Sequence, residues 1–190
     1  MFLEITWLGR GGLGAITAAY LVAKAAVKER LYAQSMPFFT AERRGAPVYA
    51  YTRLSDKPIK VLHYIKNPDI LIVFDVRIPV FERMVKTIKP NGMLIINATE
   101  ELLREHLNID KTNFKIAIVD ATRIATDLGL SAGGLALVNT AMLGAFSKVL
   151  GKPKLETFIE VFKATWREEI ARKNIEAVKR GYDETRIIKG

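Results

Sequence analysis

Cysteine is absent from this 190-residue chain, and histidine occurs only twice, as His63 and His106. Without cysteine the chain forms no disulfide, offers no thiolate nucleophile and supplies no thiolate to an iron–sulfur cluster. Two imidazoles are too few for a multi-histidine metal site. Any redox metal therefore belongs on another polypeptide. Negative charge is also short: 20 acidic against 29 basic side chains leave a net charge of +9. That balance calls for an acidic partner, whether nucleic acid, a phosphorylated ligand or an acidic protein. Internal repeats, low-complexity tracts and long linkers are missing too. The length reads as a single domain over residues 1–190, with C-terminal helices from about 153.

Targeting signals are not evident. Glu4 stands where a basic n-region would be, and no long apolar run follows. Residues 128–147 carry no charge and are long enough to cross a bilayer. Gly129, Ser131, Gly133, Gly134, Asn139, Thr140 and Gly144 break that run with turn-forming and polar groups. A buried helix beginning near Gly134 is expected there, in a soluble, cytoplasmic protein that makes no membrane contact.

Hydrophobic residues make up 49% of the chain, ample for a core. Residues 2–8 read as a strand, glycines follow at once, and 15–29 reads as a helix. Strand, tight turn and helix open an α/β unit. Residues 31–45 show no clean periodicity. Residues 48–54 alternate as a strand, 55–58 turn, and 59–62 are placed as a hairpin partner. The apolar run 69–75 has the character of a central parallel strand buried on both faces. Further strands are expected at 93–97 and 115–119, with helices at 79–88, 100–106, 121–128 and 134–150. Asp120 is placed as an N-cap. Leu155, Phe158, Ile159, Phe162, Trp166 and Ile170 recur at spacings of three and four, the mark of a helix docked on a core. The fold class is α/β: a Rossmann-like, mostly parallel sheet with helices on both faces and a C-terminal helical extension.

Two segments carry chemistry. Gly9-Arg10-Gly11-Gly12-Leu13-Gly14 satisfies G-x-G-x-x-G through Gly9, Gly11 and Gly14, between a strand and a helix. Such a loop brings backbone N–H groups and the helix N-terminus to an anion, and Arg10 adds a fixed charge. The ribose-binding acid expected about 20 residues later is missing, because Glu29 falls in a helix tail. Glycines here also serve plain strand–helix contact. The second segment joins Phe38 and Phe39 to Glu42, Arg43 and Arg44 between Pro37 and Pro47. It suits bidentate grip on phosphate or carboxylate. It equally suits a Glu42–Arg ion pair locking the loop, with the two Phe as anchors.

The joint pattern resembles a known family. W-L-G-R-G-G-L-G-A-I-T-A-A from Trp7 and P-F-F-T-A-E-R-R-G-A-P from Pro37 are similar to the gamma subunits of 2-oxoacid:ferredoxin oxidoreductases, pyruvate synthase above all. D-I-L-I-V-F-D from Asp69, I-V-D-A-T from Ile118 and N-T-A-M-L-G-A-F from Asn139 follow in the family's order. Two positions depart from it. Leu13 stands where Gln is usual, which removes a polar contact, and Thr40 replaces a usual Gly, which restricts the backbone.

The resemblance implies a subunit of a complex that oxidatively decarboxylates a 2-oxoacid, pyruvate first. The acyl group joins coenzyme A and electrons pass to ferredoxin. It implies alpha, beta and delta partner chains, with thiamine diphosphate between alpha and beta and iron–sulfur clusters on beta and delta. No catalytic or metal-ligating residue is expected in this chain, and no cofactor is assigned to it alone. Gly9, Arg10, Gly11, Gly12, Gly14, Arg43 and Arg44 are the candidate binding residues, touching coenzyme A phosphates or docking the thiamine-binding chains. Two other classes compete with this reading. A stand-alone NAD(P)-dependent dehydrogenase rests on the glycine loop alone. A nucleic-acid-binding module rests on net charge, but the cations alternate with acids, as in Arg167-Glu168-Glu169, without interleaved aromatics. No nucleic-acid partner is expected.

Overall fold

The computed structural model describes residues 1–38, 46–106 and 114–188. The chain runs through β1 (Phe2–Arg10), α1 (Ala15–Lys28), β2 (Tyr32–Phe38), β3 (Pro47–Ser55) and β4 (Ile70–Val73). It continues through α2 (Phe81–Val85), β5 (Gly92–Asn97), α3 (Glu100–His106), β6 (Phe114–Val119) and α4 (Ala121–Asp127). A short hairpin, β7 (Ser131–Ala132) and β8 (Leu135–Ala136), precedes α5 (Asn139–Leu150), α6 (Leu155–Thr165), α7 (Glu168–Glu184) and β9 (Arg186–Ile188).

Seven strands form one sheet in the order β2-β3-β1-β4-β5-β6-β9. β1, β4, β5 and β6 pair in parallel, whereas β3 is antiparallel to β1 and β2, and β9 is antiparallel to β6. The α/β expectation holds, with helices on both faces. The central strands are apolar throughout because both faces are covered: all four residues of β4 are buried.

Side-chain alternation divides the core. Ile5, Trp7, Ile72, Phe74, Ile95 and Ala117 face α1, α4, α5, α6 and α7. Leu8, Leu71, Val73, Leu94, Ile96 and Ile118 face α2 and α3. Each of the large side chains contributes about 1.5–3 kcal/mol on burial. Small residues set the helix spacing. Ala15, Ala18, Ala19, Ala25 and Ala26 let α1 lie close to the sheet. Gly144 and Gly181 bring α5 and α7 together so tightly that a Cβ on Gly181 would overlap the Ala141 carbonyl.

Several expectations are corrected. Residues 59–62 form no strand, and β3 instead lies between β1 and β2. β2 occupies part of the segment that lacked clean periodicity. The helix expected from Gly134 starts at Asn139, because Gly133 and Gly134, both with positive φ, turn the β7–β8 hairpin first. The helix expected over 79–88 is the shorter α2. The C-terminal stripe spans a break after Thr165, so Phe158 and Phe162 are buried in α6 while Ile170, on α7, is 49% exposed. Asp120 caps α4 as expected, its carboxylate accepting from the Arg123 N–H at 2.9 Å. No helix among the described residues is long and apolar enough to cross a membrane.

Candidate functional site

The parallel strands β1, β4, β5 and β6 end along one edge of the sheet, where α/β proteins place ligands. The glycine loop lies at that edge. Gly14 precedes α1 in a left-handed conformation, φ 87°, and a Cβ there would fall 2.7 Å from the Asn139 side-chain nitrogen. Only glycine relieves both constraints. A Cβ on Gly9 would meet those of Ala15 and Phe74 at 3.3 and 3.4 Å, and one on Gly12 would meet Leu135 Cδ1 at 3.0 Å. The Gly11 N–H donates to the Ala46 carbonyl at 3.3 Å. Strand, helix and β7–β8 hairpin therefore converge on the loop, which already uses its missing side chains for close contact.

Arg10 is similarly engaged. Its guanidinium pairs with Asp75 at 2.7 Å and donates to the Arg77 carbonyl at 3.1 Å. Asp75 accepts in turn from the Arg77 N–H at 2.9 Å. This pairing ties the end of β1 to the turn after β4. Beside it opens a cleft of about 440 Å³, lined by Leu13, Phe74, Asn97, Thr122 and Leu135 among others. Asn97 organises one wall: its amide donates to the Phe74 carbonyl and the Thr122 hydroxyl, both at 2.9 Å, and accepts from the Thr122 N–H at 3.1 Å. A second opening, about 770 Å³, adjoins it along α3 and β9. Two ion pairs span its lining, Arg186–Glu100 at 2.7 Å and Arg123–Glu184, and Glu101, Asp120 and Asp183 leave it acidic on balance.

A dinucleotide site places its ribose-binding acid at the end of the strand that follows the first helix and lies parallel beside β1. Here the strand after α1 is β2, separated from β1 by the antiparallel β3, whose Pro47 and Val48 lie beside Arg10 and Gly9. The parallel neighbour on the other side, β4, leads to Asp75, which Arg10 occupies. Glu29 is used elsewhere. It accepts from the Lys154 N–H and the Thr157 hydroxyl, both at 2.6 Å, and so anchors the first turn of α6. Arg43 and Arg44 lie outside the described residues, as do Phe39, Thr40 and Glu42. Among the described residues no three His, Asp or Glu side chains converge as metal ligands.

Sequence reasoning missed a second polar centre at the opposite end of the sheet. Arg53, on β3, is fully buried. It donates to Glu4 at 3.0 Å, to Gln34 at 2.9 Å and to the carbonyls of Val61 and His63 at 3.4 and 2.6 Å. Lys89 bridges Glu4 and Asp69 at 3.1 and 3.0 Å. Burial pushes the Glu4 carboxyl upward, but hydrogen bonds from Lys89 and Arg53 outweigh it and hold it below the ordinary range. Burial likewise opposes the Lys89 charge, and the bonds to Asp69 and Glu4 overcome it, so that ammonium is raised. The strand pattern shows an Arg at this position but not that its face is covered.

The geometry can be set beside known proteins. The family described as pyruvate ferredoxin/flavodoxin oxidoreductase matches residues 4–184. The chain is 41% identical over 184 residues to the pyruvate/ketoisovalerate oxidoreductases common subunit gamma of Thermococcus litoralis, covering 96% of this chain and 97% of that one. It is 39% identical over 181 residues to pyruvate synthase subunit PorC of Methanothermobacter marburgensis, covering 95% and 96%. The crystal structure of pyruvate oxidoreductase subunit PORC from Thermotoga maritima superposes with a TM-score of 0.81 at 32% identity, covering 98% of each chain.

Proposed function

This chain belongs to the pyruvate ferredoxin/flavodoxin oxidoreductase family as a gamma subunit of a multisubunit complex, and from that premise we propose that the complex converts pyruvate and coenzyme A to acetyl-CoA and carbon dioxide while reducing ferredoxin. The observation that carries the pyruvate reading is near-complete coverage of relatives whose names specify pyruvate enzymes. The Thermococcus litoralis relative is named as common to pyruvate and ketoisovalerate enzymes. A shared gamma chain implies that substrate choice rests on companion chains.

The division of labour follows from the side chains present. We place thiamine diphosphate and the iron–sulfur clusters on alpha, beta and delta companions, because this chain has no cysteine to ligate a cluster. Its own task is to present the strand-end edge and the arginines to those companions or to coenzyme A. Leu135 and Asn139 stand where side chains on Gly12 and Gly14 would be, so the loop's glycines serve close contact whether or not its N–H groups also meet a phosphate. Arg10 is committed to Asp75. We assign coenzyme A contact first to Arg43 and Arg44, with the glycine loop as the second candidate.

Anoxic affinity capture of the chain from its native cells tests the assignment. Three companion chains, thiamine diphosphate and iron–sulfur clusters are expected with it, and a panel of 2-oxoacids with a viologen acceptor should show pyruvate used best. Recovery alone, without thiamine or iron, would overturn the reading. Replacing Arg43 and Arg44 by Ala separates the two roles: a raised KM for coenzyme A marks phosphate contact, and release of the chain marks docking. If both properties stay unchanged, neither role stands.

A further inference from the structure

The sheet face carrying α2 and α3 continues past β1 to β3 and β2, where residues 56–68 cover it instead of a helix. Arg53 fixes this segment from beneath. Its buried guanidinium holds the carbonyls of Val61 and His63, on either side of Leu62. Ile65 is buried, the Asn67 amide donates to the Thr87 carbonyl at 3.1 Å, and the Pro68 carbonyl accepts from the Lys89 N–H at 3.0 Å. A segment fastened at so many points is a shaped surface.

What it displays is apolar. Leu62 is 83% exposed and Tyr64 is 51% exposed. The Tyr64 ring packs on Phe38 and Tyr51, with centroids 4.9 and 5.5 Å away, so it stands in a fixed orientation. Around this centre Lys57, Lys60 and Lys66 are exposed and make no ion pair with any described residue. Nearby acids are already neutralised: Asp56 by the terminal amine at 2.6 Å, and Glu4 by Arg53 and Lys89. A recess of about 430 Å³, lined by Glu4, His63, Lys66, Asn67 and Lys89, opens beside the patch.

We propose that residues 56–68 form the docking surface for a companion subunit of the oxidoreductase, one that presents acidic side chains around an apolar centre. Apolar and aromatic residues inside a charged rim are the anatomy of a stable protein interface. Exposed lysines around that centre are complementary to carboxylates on the partner, which steer association and fix its register. The apolar centre favours a permanent neighbour over a transient electron acceptor, whose contacts are small and polar. A nucleic acid would need the aromatic rings free to stack, whereas Tyr64 is braced edge-on against Phe38. This inference rests on the complex assigned above and adds the face through which the chain joins it.

The test uses the full tagged chain in its native cells, captured without oxygen as wild type, Leu62→Asp, the triple variant Lys57→Glu/Lys60→Glu/Lys66→Glu, and Tyr20→Ser on the exposed face of α1. Leu62→Asp is expected to lower the companions recovered by about tenfold or more. The triple variant should lower them most at low ionic strength. Tyr20→Ser should retain them. Leu62 is exposed, so the melting temperature of the purified variants should match wild type, which separates docking from folding. Companions retained by both Leu62→Asp and the triple variant would overturn the proposal while leaving the complex assignment intact. A wild-type chain recovered alone, or only as pairs of itself, would overturn both.

Discussion

Arg53 shows how much one side chain can organise. A fully buried guanidinium is costly to desolvate, and it persists only where donors and charge are satisfied together. Here Glu4 balances the charge, and Gln34 with two carbonyls takes up further donors. Arg53→Met removes the cation and leaves these acceptors short, so a loss of about 3–5 kcal/mol in urea unfolding is expected. The same centre gives stability a pH dependence. Glu4 is lowered in the fold, so its contribution is complete above its ordinary value of 4.5 and disappears as pH falls through the folded value. Lys89 is raised, so its contribution is complete below 10.5 and disappears as pH rises through the folded value. Glu4→Gln should flatten the acid limb of a stability–pH curve; an unchanged limb would refute the assignment. None of this was visible along the strand, because alternation tells which residues share a face and not what covers it.

Elements were legible in proportion to how much local pattern they carried. β4, β5 and β6 are short apolar runs, and burial on both faces is the reason they are apolar. β2 was hidden because it lies at the sheet margin, half exposed, with Pro37 inside it, and so has little alternation to show. β9 was hidden because three residues carry no period. The pairing of β3 with β1 and β2 is a long-range choice, and adjacency in sequence favoured residues 59–62 wrongly. Glu29 illustrates the same limit. It follows α1 in sequence but serves α6, more than a hundred residues away. Glu29→Ala should cost about 1 kcal/mol in thermal unfolding by uncapping α6. Gly181→Ala should cost about 1–3 kcal/mol by forcing α7 from α5. A variant as stable as wild type would mean the helices can separate freely.

At the scale of the molecule, a glycine loop between strand and helix does not make a nucleotide enzyme. The antiparallel β3 separates β1 from β2, the strand that would carry a ribose acid, Asp75 after β4 is taken by Arg10, and the β7–β8 hairpin leans on the loop. Titration of the purified chain with NADH or NADPH is expected to give no saturable signal up to about 1 mM, the weak end of specific binding. Saturation at micromolar levels would reopen the dehydrogenase reading. By itself the sequence determined the α/β class, the parallel centre, the glycine loop, the absence of cluster ligands and the family, since each is written in local pattern, composition or motif. Tertiary structure alone decided the strand order, the engagement of Arg10 by Asp75, the burial of Arg53 and the outward presentation of Leu62. Those features depend on which distant segments meet. Contacts between distant residues are chosen by the burial and pairing of the whole chain, and no short stretch carries that information.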